Sequence, residues 1–142
     1  MKKIISFFLI CLLFFSCSDN GFNNSNPYIP NYNFTVSFDT NYPAYSNLNF
    51  VTNSIYYAGP EVGPKGIYVF YTGTGYNAFD ATCPNQSSST CKNHLTLDTD
   101  KISLKCSCGN EVYSLFTGQG KLQYPLKQYR AEKIGSVIRV YN

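Results

Sequence analysis

Residues 83–91 read Cys-Pro-Asn-Gln-Ser-Ser-Ser-Thr-Cys and residues 106–110 read Cys-Ser-Cys-Gly-Asn, so two polar loops hold every cysteine that follows residue 17. The segment between them, residues 95–105, predicts strand, turn and strand, because apolar residues alternate with polar ones on both sides of Asp-Thr-Asp. Such a hairpin-like return would bring the two loops side by side. Four convergent thiols mean either a metal centre or disulfides.

The sequence around these loops predicts an all-β domain. Tyrosine, phenylalanine, asparagine and threonine are plentiful, charged residues make up only 13%, and no long helical period is present. Short alternating or β-branched runs predict strands near residues 34–38, 48–50, 54–57, 67–71, 76–80, 111–115, 126–131 and 137–141. The last two would close the sheet as an antiparallel pair.

The N-terminus is typical of an export signal. A Lys2-Lys3 head precedes an apolar run over residues 4–15, which is too short for a comfortable membrane span. Ser16-Cys17 then resembles the cleavage site of a bacterial lipoprotein, in which the cysteine is acylated; an ordinary secretory signal is the alternative. The sequence therefore predicts a signal peptide at 1–16 and lipidation at Cys17.

These boundaries imply a lipid-anchored protein of the bacterial cell envelope, at the outer membrane or the periplasmic face. The Asn-, Ser- and Pro-rich residues 17–33 predict a flexible tether, because they cannot bury enough apolar surface to fold. Residues 34–142 would then form one domain. Removal of the leader leaves 9 basic against 8 acidic residues, since two of the 11 lysines and arginines are lost. This near-neutral balance excludes an electrostatic nucleic-acid binder.

Sequence spacing bears on whether the thiols hold a metal. A zinc ribbon uses Cys-x2-Cys pairs, whereas the pairs here are Cys-x7-Cys and Cys-x-Cys. An oxidising compartment also favours disulfides over free thiols. His94, the only histidine, stands in Cys-x2-His spacing after Cys91 and could supply a ligand. We favour a solvated loop histidine, because metal sites need several converging ligands.

Tyrosines crowd the N-terminal half of the chain. An aromatic surface can bind sugars or protein partners. Packing of a β domain that has no tryptophan is the simpler interpretation and the one we favour. The residues concerned are Tyr28, Tyr32, Tyr42, Tyr45, Tyr56 and Tyr57.

Together these motifs resemble a Rieske-type domain over residues 66–141. The motifs are Ala-Phe-Asp-Ala-Thr-Cys-Pro at 78–84, Cys-Ser-Cys-Gly at 106–109, Tyr-Ser-Leu-Phe-Thr-Gly at 113–118, Pro-Leu-Lys-Gln-Tyr at 125–129 and Ile-Arg-Val at 138–140. The resemblance implies a Rieske-like antiparallel β-sandwich or barrel with two cysteine-bearing loops.

In the Rieske family each loop supplies one cysteine and one histidine to a [2Fe–2S] cluster, and a further cysteine in each loop forms a disulfide. By position, the resemblance implies that Cys83 and Cys106 match the metal ligands and that Cys91 and Cys108 match the disulfide. Both histidines are replaced, by Asn85 in the first loop and by Gly109 in the second.

This ligand deficit predicts that no cluster binds and that Cys83 pairs with Cys106, since two adjacent unliganded cysteines tend to oxidise in an exported protein. We expect a membrane-anchored lipoprotein whose degenerate domain is a disulfide-stabilised binding or structural module, with no catalytic residue. The alternative is a [2Fe–2S] electron carrier with cysteine-rich ligation, and a thiol oxidoreductase is a third possibility. No protein or small-molecule partner is indicated.

Overall fold

The structure, a computed structural model, describes residues 25–142 and consists of two antiparallel β-sheets. The strands are β1 (Thr35–Asp39), β2 (Ser54–Tyr57), β3 (Ile67–Tyr71), β4 (Tyr76–Asp80), β5 (Thr96–Leu97), β6 (Ser103–Lys105), β7 (Val112–Ser114), β8 (Gln128–Ile134) and β9 (Val137–Tyr141), and one 3-10 helix covers Ser46–Asn49. The all-β prediction is confirmed for this part of the chain. No helix in residues 25–142 has the length and apolar character of a membrane span.

The larger sheet has six strands in the order β1-β9-β8-β4-β3-β2, and the smaller has three in the order β5-β6-β7. β8 and β9 form the predicted antiparallel pair, and β9 also pairs with β1, so the first and last strands meet in one sheet. The pairing of β5 with β6 is the predicted return between the two cysteine loops.

Strand β3 lies in the middle of the hydrophobic core. Tyr68 and Phe70 pack on one face into a cluster that includes Cys83, Cys91 and Cys106. Ile67 and Val69, on the opposite face, pack into a second cluster. Burial on both faces explains why this strand is a continuous apolar run rather than an alternating one.

The strand predicted around Leu48 and Phe50 is wrong. This stretch is the 3-10 helix, in which the Leu48 N–H donates to the Tyr45 carbonyl at 3.0 Å and the Phe50 N–H to the Asn47 carbonyl at 3.1 Å. Only Leu48 is buried, while Phe50 is 62% exposed. A half-buried strand would need a partner strand and a second buried position in alternation. A short turn of 3-10 helix needs neither, and it places the single side chain of Leu48 in the core.

The described part of the predicted tether, residues 25–33, lies against the domain. Ile29 is only 3% exposed, and the buried Lys127 ammonium donates to the Pro30 carbonyl at 3.0 Å and to the Asn31 side-chain oxygen. Burial lowers the pKa of Lys127 below its ordinary value. Any flexible linker that precedes the domain would therefore be shorter than predicted, because the packed segment begins before residue 34.

Candidate functional site

The first cysteine loop begins where strand β4 ends, at the buried carboxylate of Asp80. Asp80 accepts hydrogen bonds from the Thr82 N–H at 2.7 Å and from the Tyr129 hydroxyl at 2.8 Å, and it is 2% exposed. Burial raises the pKa of Asp80, and burial beside this carboxylate raises the pKa of Tyr129. The carboxylate fixes the turn that places Cys83 in the interior.

The second loop is a tight backbone turn at the end of β6. The Cys106 N–H donates to the Glu111 carbonyl at 2.8 Å, and the Asn110 N–H donates to the Cys106 carbonyl at 3.0 Å. Asn110 has φ 61°, a left-handed conformation that asparagine tolerates better than most residues. The turn buries Cys106 and leaves Cys108 exposed to solvent.

Two disulfides join the loops. Cys83 is bonded to Cys106 and Cys91 to Cys108, and the Cα–Cα distance is 5.7 Å in both. The sequence and its resemblance to the Rieske family predict the same two pairs. The structure adds that the disulfides touch each other, because the sulfurs of Cys83 and Cys91 lie 3.5 Å apart.

Asn85 occupies the position at which the Rieske family has its first-loop histidine, and its side chain makes hydrogen bonds to residues that are distant in the chain. Its Nδ2 donates to the Tyr113 hydroxyl at 2.9 Å and to the Tyr124 carbonyl at 2.7 Å, and its Oδ1 accepts from the Tyr124 N–H at 2.9 Å. Burial raises the pKa of Tyr113. Asn85 thus fastens the segment near residue 124 over the cysteine end, a role that sequence reasoning missed because both partners are distant in the chain.

Gly109 occupies the position at which the Rieske family has its second-loop histidine, and a side chain there would displace the ends of two flexible side chains. A β-carbon built there would lie 2.6 Å from Nε2 of Gln86 and would also meet the Glu111 carboxylate. The residues at the four family ligand positions, two disulfide-bonded cysteines with Asn85 and Gly109, do not fit the two-cysteine, two-histidine set that holds a Rieske cluster.

His94 stands apart from the clustered sulfurs. Its ring stacks on Tyr56, with centroids 4.4 Å apart and planes 11° from parallel. In residues 25–142, the one group of side chains that could jointly hold a metal ion consists of Cys83, Cys91 and Cys106, and it contains no histidine. His94 therefore packs on an aromatic ring, which is neither a metal-ligand role nor the freely solvated position expected from the sequence.

Cys17, the predicted lipidation site, lies outside the described residues, as does the predicted signal peptide.

Some of the tyrosines of the N-terminal half pack inside the domain. Tyr45 and Tyr57 both pack edge-on against buried Phe38, each with its ring centroid 5.1 Å from that of Phe38. Tyr42 is 63% exposed.

A cleft of about 310 Å³ lies beside the second loop. It is lined by the backbone turn that follows Cys108 and by the segment that precedes Tyr124, and it contains one acidic and one basic side chain. The lining residues are Gly109, Asn110, Glu111, Val112, Lys121 and Leu122. Val112 and Leu122 are 41% and 45% exposed, so the cleft has an apolar rim.

No family model matches the chain, and no curated protein matches it. Solved structures do show a similar fold. One is a chain from the complex of reduced oxygenase and oxidized ferredoxin in carbazole 1,9a-dioxygenase, 16% identical, with a TM-score of 0.45 over 64% of this chain and 82% of that one. Another is the ferredoxin of carbazole 1,9a-dioxygenase from Nocardioides aromaticivorans IC177, 13% identical, with a TM-score of 0.44 over 65% of this chain and 86% of that one.

A third similar structure is described as the small subunit of an NADPH nitrite reductase. It is 13% identical, with a TM-score of 0.42 over 68% of this chain and 93% of that one. The likeness to all three is one of fold alone.

Proposed function

We propose that this chain is an exported lipoprotein, held at the bacterial cell envelope through Cys17, whose Rieske-like domain has lost its iron–sulfur cluster. The domain then serves as a disulfide-stabilised binding or structural module. The observation that carries this proposal is that none of the four positions matching the Rieske ligands offers a free ligand atom suited to iron. Asn85 is engaged by two tyrosines, Gly109 has no side chain, and both matching cysteines are in disulfides.

The chemistry of the donor set supports loss of the cluster. A neutral amide is a poor replacement for imidazole on iron, and glycine offers no ligand atom at all. Recruitment of all four cysteines would break both disulfides and release the two loops from each other. The disulfides that join the two loops and an all-cysteine cluster would therefore need the same four sulfurs.

Metal analysis of the mature protein purified without air tests this proposal. We expect less than stoichiometric iron and sulfide and no free thiol, because all four domain cysteines are bridged and Cys17 is acylated. Two irons and two sulfides per chain, with an electron paramagnetic resonance signal after reduction, would refute the loss of the cluster.

The anchor is tested separately. The Lys2-Lys3 head, the apolar run and Ser16-Cys17 support it. Cys17→Ala is expected to abolish acylation and to release the protein from membranes, as read by fractionation and by mass spectrometry of the N-terminal peptide. A wild-type protein without lipid would refute the assignment.

The second candidate is a [2Fe–2S] electron carrier with cysteine-rich ligation. The close approach of three sulfurs favours it, since those of Cys83, Cys91 and Cys106 all lie within 4.8 Å of one another. This candidate requires the reduced protein to take up iron. Reconstitution of the dithiothreitol-reduced domain with ferrous iron and sulfide distinguishes the two, because the module proposed above would stay colourless.

A further inference from the structure

The two disulfides are close enough to exchange partners. The sulfur of Cys91, bonded to Cys108, lies 3.5 Å from the sulfur of Cys83, which is bonded to Cys106. Thiol–disulfide exchange needs a thiolate in contact with a disulfide sulfur. If the Cys91–Cys108 bond opens, Cys91 is already beside its next target.

Solvent access to the four sulfurs is unequal. Cys83, Cys91 and Cys106 are 1–2% exposed, whereas Cys108 is exposed on the second loop. An external thiol therefore reaches Cys108 first, and the sulfur that leaves is that of Cys91. The sulfur released from the exposed bridge is that of Cys91, which already lies in contact with Cys83 of the buried bridge.

We propose that the four cysteines form a two-step thiol–disulfide relay, in which reduction of the exposed bridge is passed to the buried bridge. An external thiolate attacks Cys108 and forms a mixed disulfide, with the electron pair leaving on Cys91. The Cys91 thiolate then attacks Cys83, forming a Cys83–Cys91 disulfide, and the electron pair leaves on Cys106, which takes up a proton.

The partner that this chemistry fits is a dithiol reductant. Its second thiol attacks the mixed disulfide and frees Cys108 as a thiol, so the dithiol becomes a disulfide. The protein gains two electrons and two protons and changes from two disulfides to one. This activity goes beyond the proposed module, which needs the bridges only as cross-links.

The relay would change the connection between the loops. Both native bridges join the first loop to the second, but Cys83 and Cys91 belong to the same loop. One dithiol would therefore remove both ties between the loops, whereas simple reduction of the exposed bridge would leave one tie in place. The two outcomes differ in covalent structure and can be separated by mass.

Tryptic peptides report this difference directly. Cleavage after lysine places Cys83 and Cys91 together in residues 66–92, and Cys106 and Cys108 together in residues 106–121. The oxidised protein is treated with one equivalent of dithiothreitol, quenched in acid, and alkylated with N-ethylmaleimide in denaturant. Acid stops further exchange because only the thiolate reacts, and denaturant removes any bias from burial.

We expect the two-thiol species to yield separate peptides. Residues 66–92 should carry an internal disulfide and no label, and residues 106–121 should carry two maleimides. A cross-linked pair with one maleimide on Cys91 and one on Cys108 would overturn the relay, because it shows that the Cys83–Cys106 bridge never received the electrons.

Two variants complete the test. In Cys108→Ser the relay places the single free thiol on Cys106, so the two peptides separate without any reductant; a thiol that stays on Cys91 with the peptides cross-linked would contradict it. In the double variant Cys83→Ala/Cys106→Ala no acceptor remains. Reduction there must label Cys91 and Cys108, which verifies that a Cys91 thiol is detected when it forms.

Discussion

Replacement of Asn85 by alanine should destabilise the domain by removing the clamp over its cysteine end. The side chain makes three hydrogen bonds, one to the Tyr113 hydroxyl and two to the backbone of Tyr124, at 2.7–2.9 Å. A typical intramolecular hydrogen bond contributes about 1 kcal/mol net, so we expect a loss of roughly 2–3 kcal/mol in the free energy of unfolding. For a domain of this size that corresponds to a fall of roughly 8–12 °C in melting temperature.

Thermal and denaturant unfolding of the oxidised protein measure this loss. Asn93→Ala is the matched control, because Asn93 is an exposed asparagine whose side chain makes no hydrogen bond in the described structure, and its replacement should change stability by less than about 0.5 kcal/mol. Tyr113→Phe removes one of the three bonds and should cost about 1 kcal/mol. If Asn85→Ala melts like Asn93→Ala, then the amide does not hold the segment near residue 124.

Three further outcomes follow from the structure. Replacing Cys91 and Cys108 together by alanine should lower the free energy of unfolding by about 3 kcal/mol, the chain-entropy value for a separation of 17 residues; an unchanged denaturation midpoint would argue against this bridge. Because burial raises the pKa of Asp80, its stabilising contribution is present below the ordinary carboxyl pKa and is lost as the pH rises through the folded pKa. Asp80→Asn should therefore gain stability relative to the wild type as the pH rises above the ordinary carboxyl pKa of about 4, and parallel pH curves would contradict this. Gly118→Ala should cost at least about 1 kcal/mol more than Gly135→Ala, since both have positive φ but only at Gly118 would a β-carbon lie 2.8 Å from a buried aromatic ring; equal losses would disprove the clash.

Local patterns predicted most of the strands. Ile67–Tyr71 and Tyr76–Asp80 have the predicted bounds. The first is a run of β-branched and aromatic residues, and the second is its hairpin partner after the turn at residues 72–75, so neither needs distant contacts to be recognised. The stretch around Leu48 and Phe50 alternates as residues 34–38 do, but it forms a 3-10 helix. Alternation over three residues cannot reveal whether a partner strand exists.

The prediction that residues 25–33 are a flexible tether is wrong because it too rested on local composition, without knowledge of distant contacts. The Asn- and Pro-rich sequence indicated a flexible tether, yet Ile29 is buried and Lys127 binds the backbone of Pro30. Lys127 itself lies in a motif that gave no sign of burial. A buried lysine is recognisable only when the carbonyl and amide oxygens that receive its hydrogen bonds have been placed by the fold.

The amino-acid sequence by itself determined the all-β class, the two cysteine loops and the replacement of both family histidines, because these depend on residue types and on spacing within short segments. The tertiary structure alone decided the contact between the sulfurs of Cys83 and Cys91, the exposure of Cys108 and the partners of Asn85. Each of these depends on where strands β4 and β6 end relative to each other. That relation is set by the packing of residues from both sheets into the core cluster that contains the cysteines, and no local pattern along the chain encodes it.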